Sequence, residues 1–157
     1  MQSLGIGKLI ELLSELIKKQ LRPVRYFGSC NYFEMAKKLE SKFWQEVKQN
    51  TPGISWTRLE SWASAGVPDL LGYNKKGHFF TVELKVTRSN KVTFSPHQIA
   101  FHSRHPANSF ILVKHLGQGC LKLVPGSMLA CLLEEGFACL SVDRARWSTV
   151  LACLLAC

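Results

Sequence analysis

This chain lacks any apolar run of the roughly 18 residues that a membrane-spanning helix needs. Its first residues do not read as a signal peptide either. Glu11 and Glu15 interrupt the apolar positions, and no small-residue cleavage site follows. The sequence therefore predicts a soluble, cytoplasmic protein with no membrane partner. No two of its cysteines (30, 120, 131, 139, 153 and 157) form a Cys-x-x-Cys pair, which argues against a zinc or iron–sulfur site. Cys131, Cys139, Cys153 and Cys157 fall in apolar segments, where free thiols behave as small hydrophobes. No disulfide framework is expected for a chain of this size and setting. Internal repeats and low-complexity segments are absent. Acidic residues are scarce: 11 Asp+Glu stand against 20 Lys+Arg, a net charge of +9. Such an excess favours polyanionic partners, of which nucleic acid is the commonest.

What is present suffices for one core. The chain has 157 residues, and 46% are hydrophobic. Residues 4–21 carry leucines and isoleucines at helical spacing with charges on the remaining face, predicting an amphipathic helix that packs on the core or on a second copy. Pro23 ends it, and residues 22–31 read as a linker, so residues 1–30 form an N-terminal appendage and 31–157 the main domain. A second helix is expected over 32–49, strands over 54–61, 69–73 and 78–86, and a helix over 95–105. Two more strands over 109–114 and 120–124 follow. Apolar helices over 128–135 and 146–156 come last, with a short strand near 138–142 between them. The 95–105 helix has full start signals: Ser95 as N-cap, Pro96 at the first position and Gln98 closing a capping box. The fold class is α/β, a central mixed sheet flanked by helices.

The most informative stretch is Pro68-Asp69 and, thirteen residues later, Glu83-Leu84-Lys85. Side chains alternate along a strand, so Glu83 and Lys85 share one face while Val82, Leu84 and Val86 share the other. Hard divalent cations take oxygen ligands, typically one or two carboxylates completed by water and substrate phosphate. Asp69 and Glu83 offer those carboxylates from neighbouring strands, and the backbone carbonyl of Leu84 offers a further oxygen. Lys85 can hold an attacking water or neutralise a phosphate. Phosphodiester hydrolysis uses all of these parts. Glu40 sits inside the apolar stripe of Ala36, Phe43, Trp44 and Val47, where an acid is costly unless something positive meets it.

These residues resemble the PD-(D/E)xK nuclease superfamily, with Asp69, Glu83 and Lys85 at its three motif positions. Within it the chain is most similar to the virus-type replication-repair nucleases (VRR-NUC) and related phage endonucleases. Glu40-Ser41-Lys42-Phe43-Trp44 resembles that family's first-helix glutamate motif. Arg58-Leu59-Glu60-Ser61 ahead of Gly66-Val67-Pro68-Asp69, and Ser95-Pro96-His97-Gln98, resemble two further elements. The match spans roughly residues 39–114. It implies a restriction-endonuclease-like core acting on DNA with Mg²⁺ or Mn²⁺, often as a homodimer. It also implies metal ligands at Glu40, Asp69, Glu83 and Leu84, and catalytic roles for Asp69, Glu83, Lys85 and Gln98.

Around this motif, Lys75, Lys76, Arg88, Lys91, His102, Arg104 and Lys114 are candidate phosphate contacts. Such contacts set affinity without reading sequence. Glu60 is a weaker candidate ligand, with an ion pair to Arg58 as its alternative. The leading reading is a metal-dependent DNA endonuclease, either structure-specific for branched DNA (a Holliday junction or flap) or a phage homing or repair enzyme. An RNA endonuclease and a catalytically silent nucleic-acid-binding protein are the alternatives.

Overall fold

The computed structural model describes residue 15 and residues 29–59, 66–139 and 143–157. Apart from Glu15, the predicted 4–21 helix lies outside these residues, as does Glu60. Helix α1 spans Ser29–Asn50, beginning three residues before the expected start, so the 30/31 boundary falls in its first turn. Three strands follow, β1 (Ser55–Arg58), β2 (Leu70–Tyr73) and β3 (Phe79–Thr87). Helix α2 (Pro96–Arg104) leads to strands β4 (Ser109–His115) and β5 (Cys120–Pro125), then helices α3 (Leu129–Glu135) and α4 (Trp147–Ala156).

The sheet is mixed, in the order β1-β2-β3-β4-β5. All neighbours are antiparallel except β3 and β4, which run parallel because α2 carries the chain back across the sheet. Alternation along the central strand explains the layering. Phe80, Val82 and Leu84 join Phe43, Trp44 and Val47 of α1 and Val150 and Leu154 of α4 in one core. Ile111, Val113 and Val124 face the opposite way, toward Ile99 of α2 and Leu129 and Leu132 of α3. The β2–β3 hairpin closes on Asn74, whose Oδ1 accepts from the Lys76 and His78 amides at 3.0 and 3.1 Å. Asn74 Nδ2 donates to the Leu154 carbonyl, tying the hairpin to α4.

Toward the C-terminus Gly136–Ala138 forms a 3₁₀ turn, and residues 140–142 of the strand expected near 138–142 lie outside the described residues. One expectation fails there. Cys131 and Cys139 are disulfide-bonded rather than free, because the chain folds back at Gly136, whose φ is +68°. Among the described residues no helix is long and apolar enough to cross a membrane.

Candidate active site

The site forms where two strands part. The β2–β3 ladder ends at the Leu70–Val82 pair, which leaves Asp69 one step beyond it. From there Asp69 Oδ2 accepts the Leu84 amide at 2.7 Å, so the carboxylate extends the ladder by one bond. The Asp69 carbonyl accepts the Leu59 amide at 2.8 Å, anchoring the residue to the chain just after β1. Backbone groups on a strand alternate between its two edges. Thr81 and Thr87 bond toward the β4 side. Leu84, three residues from each, points the other way. Its carbonyl therefore faces the same edge as the Asp69 carboxylate.

Glu83 and Lys85 lie on the α2 side of the sheet, as the alternation predicts. Glu83 is 1% exposed. Its Oε1 accepts from Gln98 Nε2 and pairs with Lys85 Nζ at 3.0 Å. Its Oε2 is buried and has no hydrogen-bond partner among the described residues. Burial pushes the Glu83 carboxyl up to about 7, with the Asp69 and Glu40 charges adding to the rise and Lys85 opposing it. Burial also raises Asp69, against the Leu84 amide, Lys85 and Arg58. Two acids, both costly to ionise and one with an orphaned oxygen, make a donor set suited to a cation.

Lys85 is held by geometry rather than by one partner. Nζ donates to Gln98 Oε1 at 3.0 Å and lies 5.0 Å from the Phe94 ring centroid. Gln98 has both roles open to it from sequence. Its Oε1 accepts the Ser95 amide at 3.0 Å while Ser95 Oγ accepts the Gln98 amide, completing the capping box, and its amide group meets Lys85 and Glu83. Phe94 escaped the sequence reading. Its signal was a hydrophobic staple, since it precedes the N-cap and joins Ile99 in one core. Gly66 is fixed by a close approach as well as by its φ of +87°, because a Cβ there would meet the His97 backbone at 2.5 Å.

The remaining candidates separate. Glu40 is half-buried on α1, near enough for its charge to raise Glu83. Arg88 and Lys91 are exposed on the loop leaving β3 just beyond Lys85. Lys75 and Lys76 are not brought to the site. Their turn lies past Phe79, which is four residues or about 13 Å of strand from Glu83, and Lys76 Nζ donates to the Ala156 carbonyl. His102 is 0% exposed and bonded through Nδ1 to Ser109 Oγ at 2.6 Å, so it cannot meet a phosphate as expected. Burial holds its pKa down at about 4, so it stays neutral. Arg104 is exposed at the far end of α2, its Nε on the Ala100 carbonyl. Lys114 is paired with Glu46 at 2.5 Å.

No protein-family model matches this chain, and no curated protein sequence does. Among solved structures it is similar to Archaeoglobus fulgidus Hjc, a Holliday junction resolvase from an archaeal hyperthermophile. The two are 15% identical, the alignment covers 59% of this chain and 78% of that one, and the TM-score is 0.44. At that similarity the chemistry rests on this chain's own side chains.

Proposed function

We propose that the chain is a divalent-metal-dependent nuclease that hydrolyses DNA phosphodiester bonds. The observation that carries this reading is the buried, unpartnered Glu83 Oε2 beside Asp69, on the strand edge toward which the Leu84 carbonyl faces. Asp69, Glu83, the Leu84 carbonyl and Glu40 would hold the ion, Mg²⁺ or Mn²⁺ being suited to an all-oxygen set. When bound, such an ion supplies an acidified water and neutralises charge developing on the phosphate.

The chain's own residues do the rest. Lys85 is the cation on the reacting side of the sheet, and Gln98 and Phe94 fix its position so that little reorganisation is needed during reaction. Glu83 Oε1 pairs with Lys85 Nζ at 3.0 Å, which sets the lysine beside the carboxylates that would hold the ion. Gln98 ties the position of this pair to the start of α2. Arg88 and Lys91 would meet the flanking phosphates without reading bases.

The net charge of +9 and the motif's resemblance support a nucleic-acid substrate, and DNA is the reading preferred here over RNA. Cutting both strands at one place would need two sites, hence a homodimer. Residues 1–30 are proposed as an appendage to a nuclease domain spanning 31–157. Incubation with Mg²⁺ or Mn²⁺ and a panel of duplex, four-way junction, flap, single-stranded DNA and RNA tests the proposal. Cleavage of DNA that disappears in Asp69→Ala is expected. Cleavage of RNA alone would favour the ribonuclease reading, and tight binding without cleavage the silent binder.

A further inference from the structure

A second donor cluster lies away from the carboxylates. Cys131 sits in α3, Glu135 at its last residue, and Cys139 just after the 3₁₀ turn. Their Sγ and carboxylate oxygen atoms all lie within 4.8 Å of one another. The spacing explains this. Residues four apart on a helix share a face. The left-handed Gly136 then turns the chain back so that Cys139 meets the same face. In the structure the two sulfurs are disulfide-bonded, across a Cα–Cα distance of 6.4 Å.

The backbone around the cluster is held independently of that bond. Asn90, on the loop after β3, makes three hydrogen bonds to the turn. Its Nδ2 donates to the Glu135 carbonyl at 2.7 Å, its carbonyl accepts the Phe137 amide at 2.7 Å, and its Oδ1 accepts the Ala138 amide at 2.5 Å. Lys122 Nζ, nearly buried, donates to the Cys139 carbonyl at 2.6 Å. Opening the disulfide therefore leaves two sulfurs and a carboxylate converging from a backbone that other bonds keep in place.

We infer that, in the reduced protein, Cys131, Glu135 and Cys139 form a binding site for a thiophilic divalent cation such as Zn²⁺. The steps balance. A dithiol passes two electrons and two protons to the disulfide, becoming a disulfide itself, and the cation then displaces the two thiol protons. Two thiolates and one carboxylate suit Zn²⁺ and leave its fourth position for water. The hard oxygen set at Asp69 and Glu83 selects differently. The absence of a Cys-x-x-Cys pair conceals the cluster in the sequence, because its members are joined by a helix-and-turn rather than by a tight knuckle.

The test uses the full chain and Co²⁺ alone as a spectroscopic stand-in for Zn²⁺. Reduced protein should bind one equivalent with thiolate-to-Co²⁺ charge-transfer absorption, which Zn²⁺ then abolishes by displacement. Oxidised protein, the same chain unmutated, should show none of that absorption. Glu135→Gln should weaken binding about tenfold or more, on the scale seen when metal-site partners are lost. Cys153→Ser should leave the absorption intact. Absence of the band in reduced wild type, its presence in oxidised protein, or its survival in Cys131→Ser would overturn the site, and unchanged affinity in Glu135→Gln would overturn the three-ligand set.

Discussion

Replacing Glu83 by Gln separates a metal ligand from a structural ion-pair partner, because the two readings predict opposite signs. Glu83 is 1% exposed, and its folded pKa of about 7 lies above the ordinary 4.5. The folded state thus prefers the protonated carboxyl. That preference stabilises the metal-free protein fully below about pH 4.5, and the stabilisation is lost as pH rises through 7. A difference of this size is worth at most about 3 kcal/mol at pH 8. Glutamine keeps the shape and an acceptor for Gln98 Nε2 and Lys85 Nζ, but has no charge to bury. In chelator at pH 8, Glu83→Gln should therefore raise Tm, and a third of that ceiling corresponds to about 2–4 °C. At pH 4.5 the gain should vanish. Adding Mn²⁺ at pH 8 should stabilise wild type and leave Glu83→Gln nearly unmoved. Thermal unfolding at the two pH values, with and without metal, reads all of this. A variant less stable than wild type at pH 8 in chelator would mean that the Lys85 ion pair outweighs desolvation, and the reasoning would be wrong.

Asp69→Ala should abolish cleavage and also cost about 1–3 kcal/mol, since the Leu84 amide loses its acceptor; urea unfolding measures the second effect. Lys85→Ala should lower kcat by about 10²-fold or more while retaining the metal-induced rise in Tm, because it removes the preorganised charge and no ligand. Gly66→Ala should destabilise by about 1–3 kcal/mol, from a strained φ of +87° and a collision with the His97 backbone; a Tm equal to wild type would refute that contact.

Local physics made much of this site legible in the sequence. Strand alternation alone put Glu83 and Lys85 on one face, and the capping box at Ser95 and Gln98 was readable from residue types. What failed depended on where elements end and which face packs. Lys75 and Lys76 are near the motif in sequence, yet the hairpin register carries them to the opposite end of β3. His102 read as a phosphate contact, but α2 packs that face on the sheet, where Ser109 of β4 receives it. The Cys131–Cys139 bond required knowing that Gly136 turns the chain back on α3. Phe94 was visible only through its staple with Ile99, a pairing across the N-cap that charge-based reasoning passes over.

Under the proposed function, a divalent cation held by Asp69 and Glu83 is required for hydrolysis of DNA. The most direct measurement is the initial cleavage rate of end-labelled duplex and four-way-junction DNA, with wild type and Glu83→Gln compared across a titration of Mn²⁺ into chelated protein. No cleavage is expected without metal, with saturable metal activation in wild type and a loss of about 10³-fold or more in Glu83→Gln, as when an essential catalytic group is removed. Metal-independent cleavage, or equal rates for the two proteins at every Mn²⁺ concentration, would contradict it.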